Sequence, residues 1–254
     1  MIHKISLTVL GLAVMISCLW AQPEQELVKK CVAAMSGEQS LKRYMHYEGT
    51  GLVKVQFFNQ NFSGTFNLVK AGEKSRLVIE LDFSGEKFRW IKAYNGVAAF
   101  SDMEGDVSDL PDLNFKSDLS HSVMILVDPL TRYTLGKETE VMSRPAIAVE
   151  AELAGKKTTF YIDRQDYTVL EIAWSDMYVN ENFVNELLEK RLQYENYQKI
   201  DGVFFPMKMT EYAKGQKTLE LEFQTVKFAV SENPVLFERP TQKADYSYWE
   251  EKMN

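Results

Sequence analysis

The sequence predicts a mainly β fold of the α+β kind, in which a strongly curved antiparallel sheet wraps onto helices. Three observations carry this. From Arg191 to Phe228, apolar and polar residues alternate through three consecutive segments joined by short turns, one of them Asp201-Gly202. A period of two places the apolar side chains on one sheet face. Roughly ten or eleven such strands can be read along the chain, and a strand with one apolar face needs a cover. The element order is helix, strands, helix, strands, and no strand group separates into two balanced sheets with the Cys…Trp…Cys spacing of an immunoglobulin sandwich.

The chain opens with a short basic start, Met1-Ile-His-Lys4, and an uncharged apolar run, Ile5–Trp20. The run is shorter than the roughly 20 residues of a membrane-spanning helix. Ala21 then precedes the polar Gln22-Pro23-Glu24. Residues 1–21 therefore read as a signal peptide cleaved after Ala21. An alternative is a lipobox-like Met15-Ile-Ser17-Cys18, with Cys18 lipidated and the protein anchored as a lipoprotein.

Leu27, Cys31 and Met35 recur every four residues, which predicts a helix over Gln25–Met35 ended by Gly37 in a left-handed conformation. A short helical turn at Gln39–Tyr44 follows. Val53, Val55 and Phe57 alternate with Lys54 and Gln56; Leu77, Ile79, Leu81 and Phe83 alternate with Val78, Glu80 and Asp82. Ser84-Gly85 turns the chain into Lys87–Tyr94, and Asn95-Gly96 turns it into Val97–Phe100. Ser101–Leu130 breaks the pattern, acidic at Asp102, Glu104, Asp106, Asp109 and Asp112, then apolar from Val123 to Val127 before Pro129. An excursion of about thirty residues is too long for an ordinary loop. It reads as a covering segment with a helix near Ser117–Val127 that Pro129 stops, and its acidic part as the solvated edge of a lid.

Strands resume with Ile147, Val149, Ala151 and Leu153, turn at Gly155, and continue through Phe160 and Ile162 and then Leu170, Ile172 and Trp174. Asn180–Glu189 reads as a polar connection with a helical turn. In the final strand Leu219, Leu221 and Phe223 share a face, whereas Val226 and Phe228 fall on the other phase; a bulge near Gln224-Thr225 would bring both sets to one side. One domain is expected over residues 22–240, with a polar tail at 241–254.

Composition excludes several classes. The net charge is −7, and removal of residues 1–21 deletes Lys4 and no acid, which gives −8. Such a chain repels phosphate backbones, so no nucleic-acid partner is expected. Cleavage after Ala21 leaves Cys31 as the single cysteine and rules out an intrachain disulfide. Cys31 falls on the apolar helix face and reads as inert packing. His46 and His121 sit in no metal-ligand spacing, and the acidic run lacks the regular spacing of a calcium loop. No Gly-x-Ser-x-Gly, His-Glu-x-x-His, Walker or dinucleotide motif is present. Neither an enzyme nor a cofactor is expected.

Several segments together resemble the LolA/LolB-like periplasmic proteins, the outer-membrane lipoprotein-sorting family. They are Ala33-Ala-Met-Ser-Gly37-Glu-Gln-Ser-Leu41 running into Gly49–Phe57; Ala93-Tyr94-Asn95-Gly96-Val-Ala-Ala-Phe100; Phe160-Tyr161-Ile162-Asp163 followed by Tyr167-Thr-Val-Leu170-Glu171; and Tyr197…Asp201-Gly202…Phe205-Pro206, closed by Leu236-Phe237-Glu-Arg-Pro240. The resemblance spans nearly all of residues 22–240. It implies an incomplete antiparallel β-barrel of about eleven strands covered by helices, with a hollow apolar interior. It implies a periplasmic carrier or chaperone of lipid or lipoprotein acyl chains, a monomer that meets inner- or outer-membrane transport partners. An envelope-stress sensor or protein-interaction module on the same fold is the alternative. The chain departs from the sorting protein in its greater length and its acidic Ser101–Leu130 insert. The wall of the implied cavity is expected from Phe57, Leu77, Ile79, Leu81, Trp90, Phe160, Ile172, Trp174, Met207, Met209, Leu221 and Phe223, each of which would otherwise be plain core packing. Met207 and Met209 add flexible thioethers suited to variable ligands.

Overall fold

The computed structural model describes residues 23–57, 60–83, 85–110, 119–179, 185–229 and 233–239. The expected signal peptide, Cys18, Asp112 and the tail at 241–254 lie outside these residues. The helices are α1 (Pro23–Ala34), α2 (Glu38–Arg43) and α3 (Leu119–Ile125). The strands are β1 (His46–Phe57), β2 (Gln60–Ala71), β3 (Lys74–Phe83), β4 (Glu86–Tyr94), β5 (Ala99–Met103), β6 (Asp106–Leu110), β7 (Arg132–Val141), β8 (Arg144–Leu153), β9 (Lys156–Asp163), β10 (Val169–Val179), β11 (Asn185–Ile200), β12 (Val203–Ala213) and β13 (Gln216–Phe228).

All thirteen strands form one sheet in the order β6-β5-β4-β3-β2-β1-β13-β12-β11-β10-β9-β8-β7. Each half is a plain antiparallel meander, and the halves join through β1 and β13. The edges β6 and β7 do not pair with each other among the described residues, so the sheet is open. It is nevertheless strongly curled. One buried cluster takes side chains from β1–β4, from β8–β13, from α1 (Leu27, Val28, Cys31) and from the end of α3 (Val123, Leu126). A flat sheet could not bring ten strands to one core. The expected incomplete barrel around helices is therefore the observed architecture.

Thirteen strands stand where about eleven were expected, for identifiable reasons. β2 begins Gln60-Asn-Phe-Ser-Gly-Thr, where Asn61 and Gly64 are types depleted in strands and Phe62 is the one apolar residue; Phe62, Phe66 and Leu68 join the core all the same. β7 is an edge strand exposed along most of its length, so it shows no buried phase. As far as Leu110, the acidic stretch is a pair of strands and not the expected lid edge. Asp102 and Glu104 belong to a β5–β6 hairpin in which Met103 pairs with Asp106 and the Asp102 carboxylate accepts the Gly105 N–H at 2.8 Å. Carboxylates on an outermost hairpin discourage another chain from extending the sheet. The expected helix before Pro129 is present as α3, which ends at Ile125 rather than Val127, while Ser117 lies outside the described residues. The Asn180–Glu189 connection is corrected as well, because β11 has already begun at Asn185.

Two local expectations can be followed atom by atom. At the end of α1 the Gly37 N–H donates to Val32 O and the Ser36 N–H to Ala33 O, at 2.8 and 3.1 Å. This is a Schellman closure. Ser36 at φ 76° takes the left-handed position expected of Gly37, and Gly37 at φ 83° follows it. In β13, Thr225 pairs with Thr50 and Phe223 with Gly51, which leaves Gln224 as the extra residue of a bulge. Leu219, Leu221, Phe223, Val226 and Phe228 consequently all meet the core, as the phase change required. In β11, Asn196 takes a left-handed backbone (φ 56°) between the Glu195–Lys208 and Tyr197–Pro206 pairs without any change of register.

The convex face carries charge. Glu220 accepts Lys54 and Lys217, each at 2.9 Å, with Lys208 at 4.0 Å. Burial works to raise the Glu220 carboxyl, but these lysines outweigh it and hold it at about 2, against an ordinary 4.5. The folded value lies below the unfolded one, so the ionised form stabilises the fold fully above about pH 4.5, and this contribution is lost as pH falls toward 2. With partly solvated lysines the contribution is roughly 1–2 kcal/mol. Glu220→Gln is expected to flatten the acid limb of a pH series of urea unfolding; parallel curves for both proteins below pH 4.5 would contradict this.

Cys31 is fully buried, and burial, reinforced by Asp166, pushes its thiol up to about 12. Iodoacetamide at neutral pH is expected to leave the native thiol unmodified and to label it after unfolding. Rapid labelling of the native protein, followed by mass, would show that α1 lifts off the sheet.

Candidate ligand-binding site

The cleft of interest, about 980 Å³, lies at the end of the sheet that carries the β8–β9 turn (Ala154, Gly155) and the β12–β13 turn (Gly215). This is at the upper end of the roughly 300–1,000 Å³ usual for small-molecule sites. Ser122 and Ile125 of α3 line it, together with Leu153, Thr158, Trp174 and Lys190. Strand register places Ala151, Thr158, Trp174, Lys190 and Ala213 in one row across β8–β12. That row belongs to the concave phase, because Ala151 and Trp174 join the core. Thr159, Tyr161, Ala173 and Arg191 also line the cleft, and they hold the opposite phase. The cleft therefore wraps the tip of the β8–β9 hairpin and reaches the interior beside α3. Ile125 and Trp174 are common to its wall and to the core.

The opposite end is closed by aromatic side chains beneath α1 and α2. Phe205 stacks on Tyr44 at 5.4 Å and meets Tyr47, Phe223 and Phe228 edge-on at 5.1, 5.3 and 5.8 Å. The Tyr44 hydroxyl donates to Phe204 O, and Arg43 donates to Asp201 O at 2.5 Å. Both bonds tie α2 to the β11–β12 hairpin.

Charge also enters the concave side. Lys92 pairs with Leu77, whose side chain is in the core, so Lys92 points inward. Its Nζ lies 4.0 Å from the centre of the Trp90 ring, a cation–π contact. Glu211 and Lys190 occupy inward positions of β12 and β11, flanking Leu192. Burial pushes the Lys92 ammonium below its usual range; Glu211 pulls it back, and Lys190 adds to the downward push. Burial likewise works to raise the Glu211 carboxyl, but Lys190, Lys92 and a 2.9 Å bond from the Thr218 hydroxyl prevail and hold it below the ordinary value. β4 and β12 stand five strands apart in the sheet, so this mutual influence is a direct mark of the curl.

The expected wall residues fall into three groups. Leu77, Ile79, Leu81, Trp90, Phe160, Ile172, Leu221 and Phe223 are buried in the core cluster, at 0–9 % exposure. Trp174, Met207 and Met209 are partly buried against it. The side chain of Phe57 lies outside the described residues. Of the twelve, Trp174 lines the 980 Å³ cleft. The inward charges Lys92, Lys190 and Glu211 were not among the expected site residues. Their signal was available, since each sits on the apolar phase of its own strand, Glu211 two residues beyond Met209 and Lys190 two before Leu192.

The nearby solved structures include a LolA superfamily protein from Nitrosomonas europaea and a DUF1329 family protein from Desulfovibrio piger. The first is 12 % identical, with a TM-score of 0.51, covering 86 % of this chain and 98 % of that one. The second is 13 % identical, with the same score and coverage. No protein-family model and no curated protein matches the sequence. The chain has the LolA-like open-barrel fold.

Proposed function

We propose that this protein is an exported, non-enzymatic carrier that holds the acyl chain of a lipid or lipoprotein against the concave face of its sheet. The observation that carries this reading is the 980 Å³ cleft, which shares Ile125 and Trp174 with a continuous apolar core under a curled, unclosed sheet. The LolA-like fold supports it, as does the leader-like sequence of residues 1–21. The physical task is simple. Burying an acyl chain is worth about 0.8 kcal/mol per methylene, so a sixteen-carbon chain carries roughly 12 kcal/mol of gross driving force. A carrier has to supply apolar wall for that chain and an opening to admit it.

The test is native mass spectrometry and lipid extraction of the protein purified from cell envelopes, together with titration of the neutral apolar probe N-phenylnaphthylamine. Co-purifying acyl species and saturable probe binding are expected. Repeated absence of both would end the carrier reading; a stable complex with another protein in the same preparations would then favour an interaction module on this fold.

A further inference from the structure

We infer that the cleft grips an anionic head group, a carboxylate or a phosphate, at the end of the acyl ligand, through a row of hydrogen-bond donors formed by Thr158, Trp174 and Lys190. This rests on the carrier reading and adds to it the chemistry of the ligand's polar end. The three residues are direct cross-strand neighbours on β9, β10 and β11, Thr158 opposite Trp174 and Trp174 opposite Lys190. Facing neighbours stand about 4.5–5.5 Å apart at Cβ, close enough to share one small group. All three line the cleft.

The donor types decide the ligand. An indole N–H and an ammonium only donate, and a threonine hydroxyl can, so the row asks for an acceptor. Trp174 Nε1 is buried with no hydrogen-bond partner among the described residues. A buried donor left unsatisfied costs about 1–3 kcal/mol, and a ligand oxygen would remove that cost. Lys190 is 7 % exposed, so an anion beside it would be poorly screened. On the inward phase the cleft lining carries Lys156 and Lys190, two cations to the one carboxylate of Glu211 a row deeper, whereas Lys157, Arg191, Glu150 and Glu189 hold the opposite phase, where Lys157 pairs with Glu150 at 2.8 Å. Beside the row, Ile125 of α3 and, one inward pair nearer the β8–β9 turn, Leu153 offer the apolar surface that an acyl chain would follow.

The experiment uses the delipidated full mature chain loaded with N-phenylnaphthylamine, which has no anionic group. Palmitate, hexadecyl phosphate and hexadecanol compete for it. Palmitate or hexadecyl phosphate is expected to displace the probe at about tenfold lower concentration than hexadecanol. Whichever of the two acts identifies a fatty acid or a phospholipid as the source, and either outcome supports the site. Trp174→Phe, which keeps an aromatic ring and removes the donor, and Lys190→Gln are each expected to cut the anion preference, read within each variant as the ratio of hexadecanol to anion concentrations that displace the probe, at least about threefold. Equal displacement by all three amphiphiles, or a preference that survives both substitutions, overturns the head-group site and leaves the carrier standing. Absence of probe binding removes the carrier reading instead, and the head-group site with it.

Discussion

Phe205→Ala is expected to lower stability by about 4–5 kcal/mol and the melting temperature by roughly 10–15 °C. Phe205 is fully buried and touches four aromatic rings at 5.1–5.8 Å. The loss has two parts. Truncating a buried Phe to Ala costs about 3–5 kcal/mol through lost transfer energy and the remaining cavity, and each edge or offset ring pair adds about 0.5–1.5 kcal/mol beyond area. The partners cannot close the gap freely. Tyr44 is held by its bond to Phe204 O, while Tyr47 and Phe223 sit on strands β1 and β13, whose pairing joins the two halves of the sheet. Phe205→Leu keeps most of the volume and is expected to cost about 1.5 kcal/mol. Guanidinium unfolding of both variants is the measurement. A loss below about 2 kcal/mol for Phe205→Ala would show that the closed end of the barrel is loosely packed.

The same cluster shows how much could be read from the chain. Alternation located Leu221 and Phe223, while Phe205 stood only within the Tyr197…Pro206 segment, and the phase slip between Phe223 and Val226 was enough to place a bulge that the structure puts at Gln224. These are local signals: a period of two, and a break in it. β2 was missed because its first half, Gln60–Thr65, carries almost no apolar residue except Phe62. It is a strand because β1 and β3 pair with it on both sides, and a single segment cannot display pairing. β7 was missed for the related reason that an edge strand buries little. The acidic residues 102–110 were legible as exposed but not as strands, since a solvated hairpin and a solvated loop have the same composition. For the site, periodicity identified which residues face inward, yet packing alone decides which inward residues remain partly uncovered. Trp174 is one of them, whereas Ile79 and Phe160 at 0 % exposure are not. Charge on the inward phase, at Lys92, Lys190 and Glu211, was the available clue that this concave face is more than a greasy surface.

Gly64→Ala is expected to destabilise the protein by about 3 kcal/mol or more, because the sheet leaves no room for a methyl group there. A Cβ on Gly64 would stand 1.9 Å from Glu80 O and 2.8 Å from Glu80 C, both backbone atoms of β3. No rotamer change can relieve that, so strands β2 and β3 would have to separate. Gly51 on β1 meets the same barrier at Glu222 O, 2.0 Å away, opposite the bulge in β13. Two glycines approached this closely by neighbouring backbone, on adjacent strands near the middle of the sheet, are where the sheet can bend most sharply. That bend lets β4 look across at β12 and gives the sheet a concave side at all. Gly72→Ala is the control. Its Cβ would meet nothing within 4 Å, so only the left-handed backbone at φ +61° is strained, at about 1–2 kcal/mol. If bending at Gly64 shapes the interior, Gly64→Ala that still folds is expected to bind N-phenylnaphthylamine more weakly, and Gly72→Ala to bind it as the parent does. Equal denaturation midpoints for the two variants would mean that β2 and β3 part easily, and the curl would need another cause.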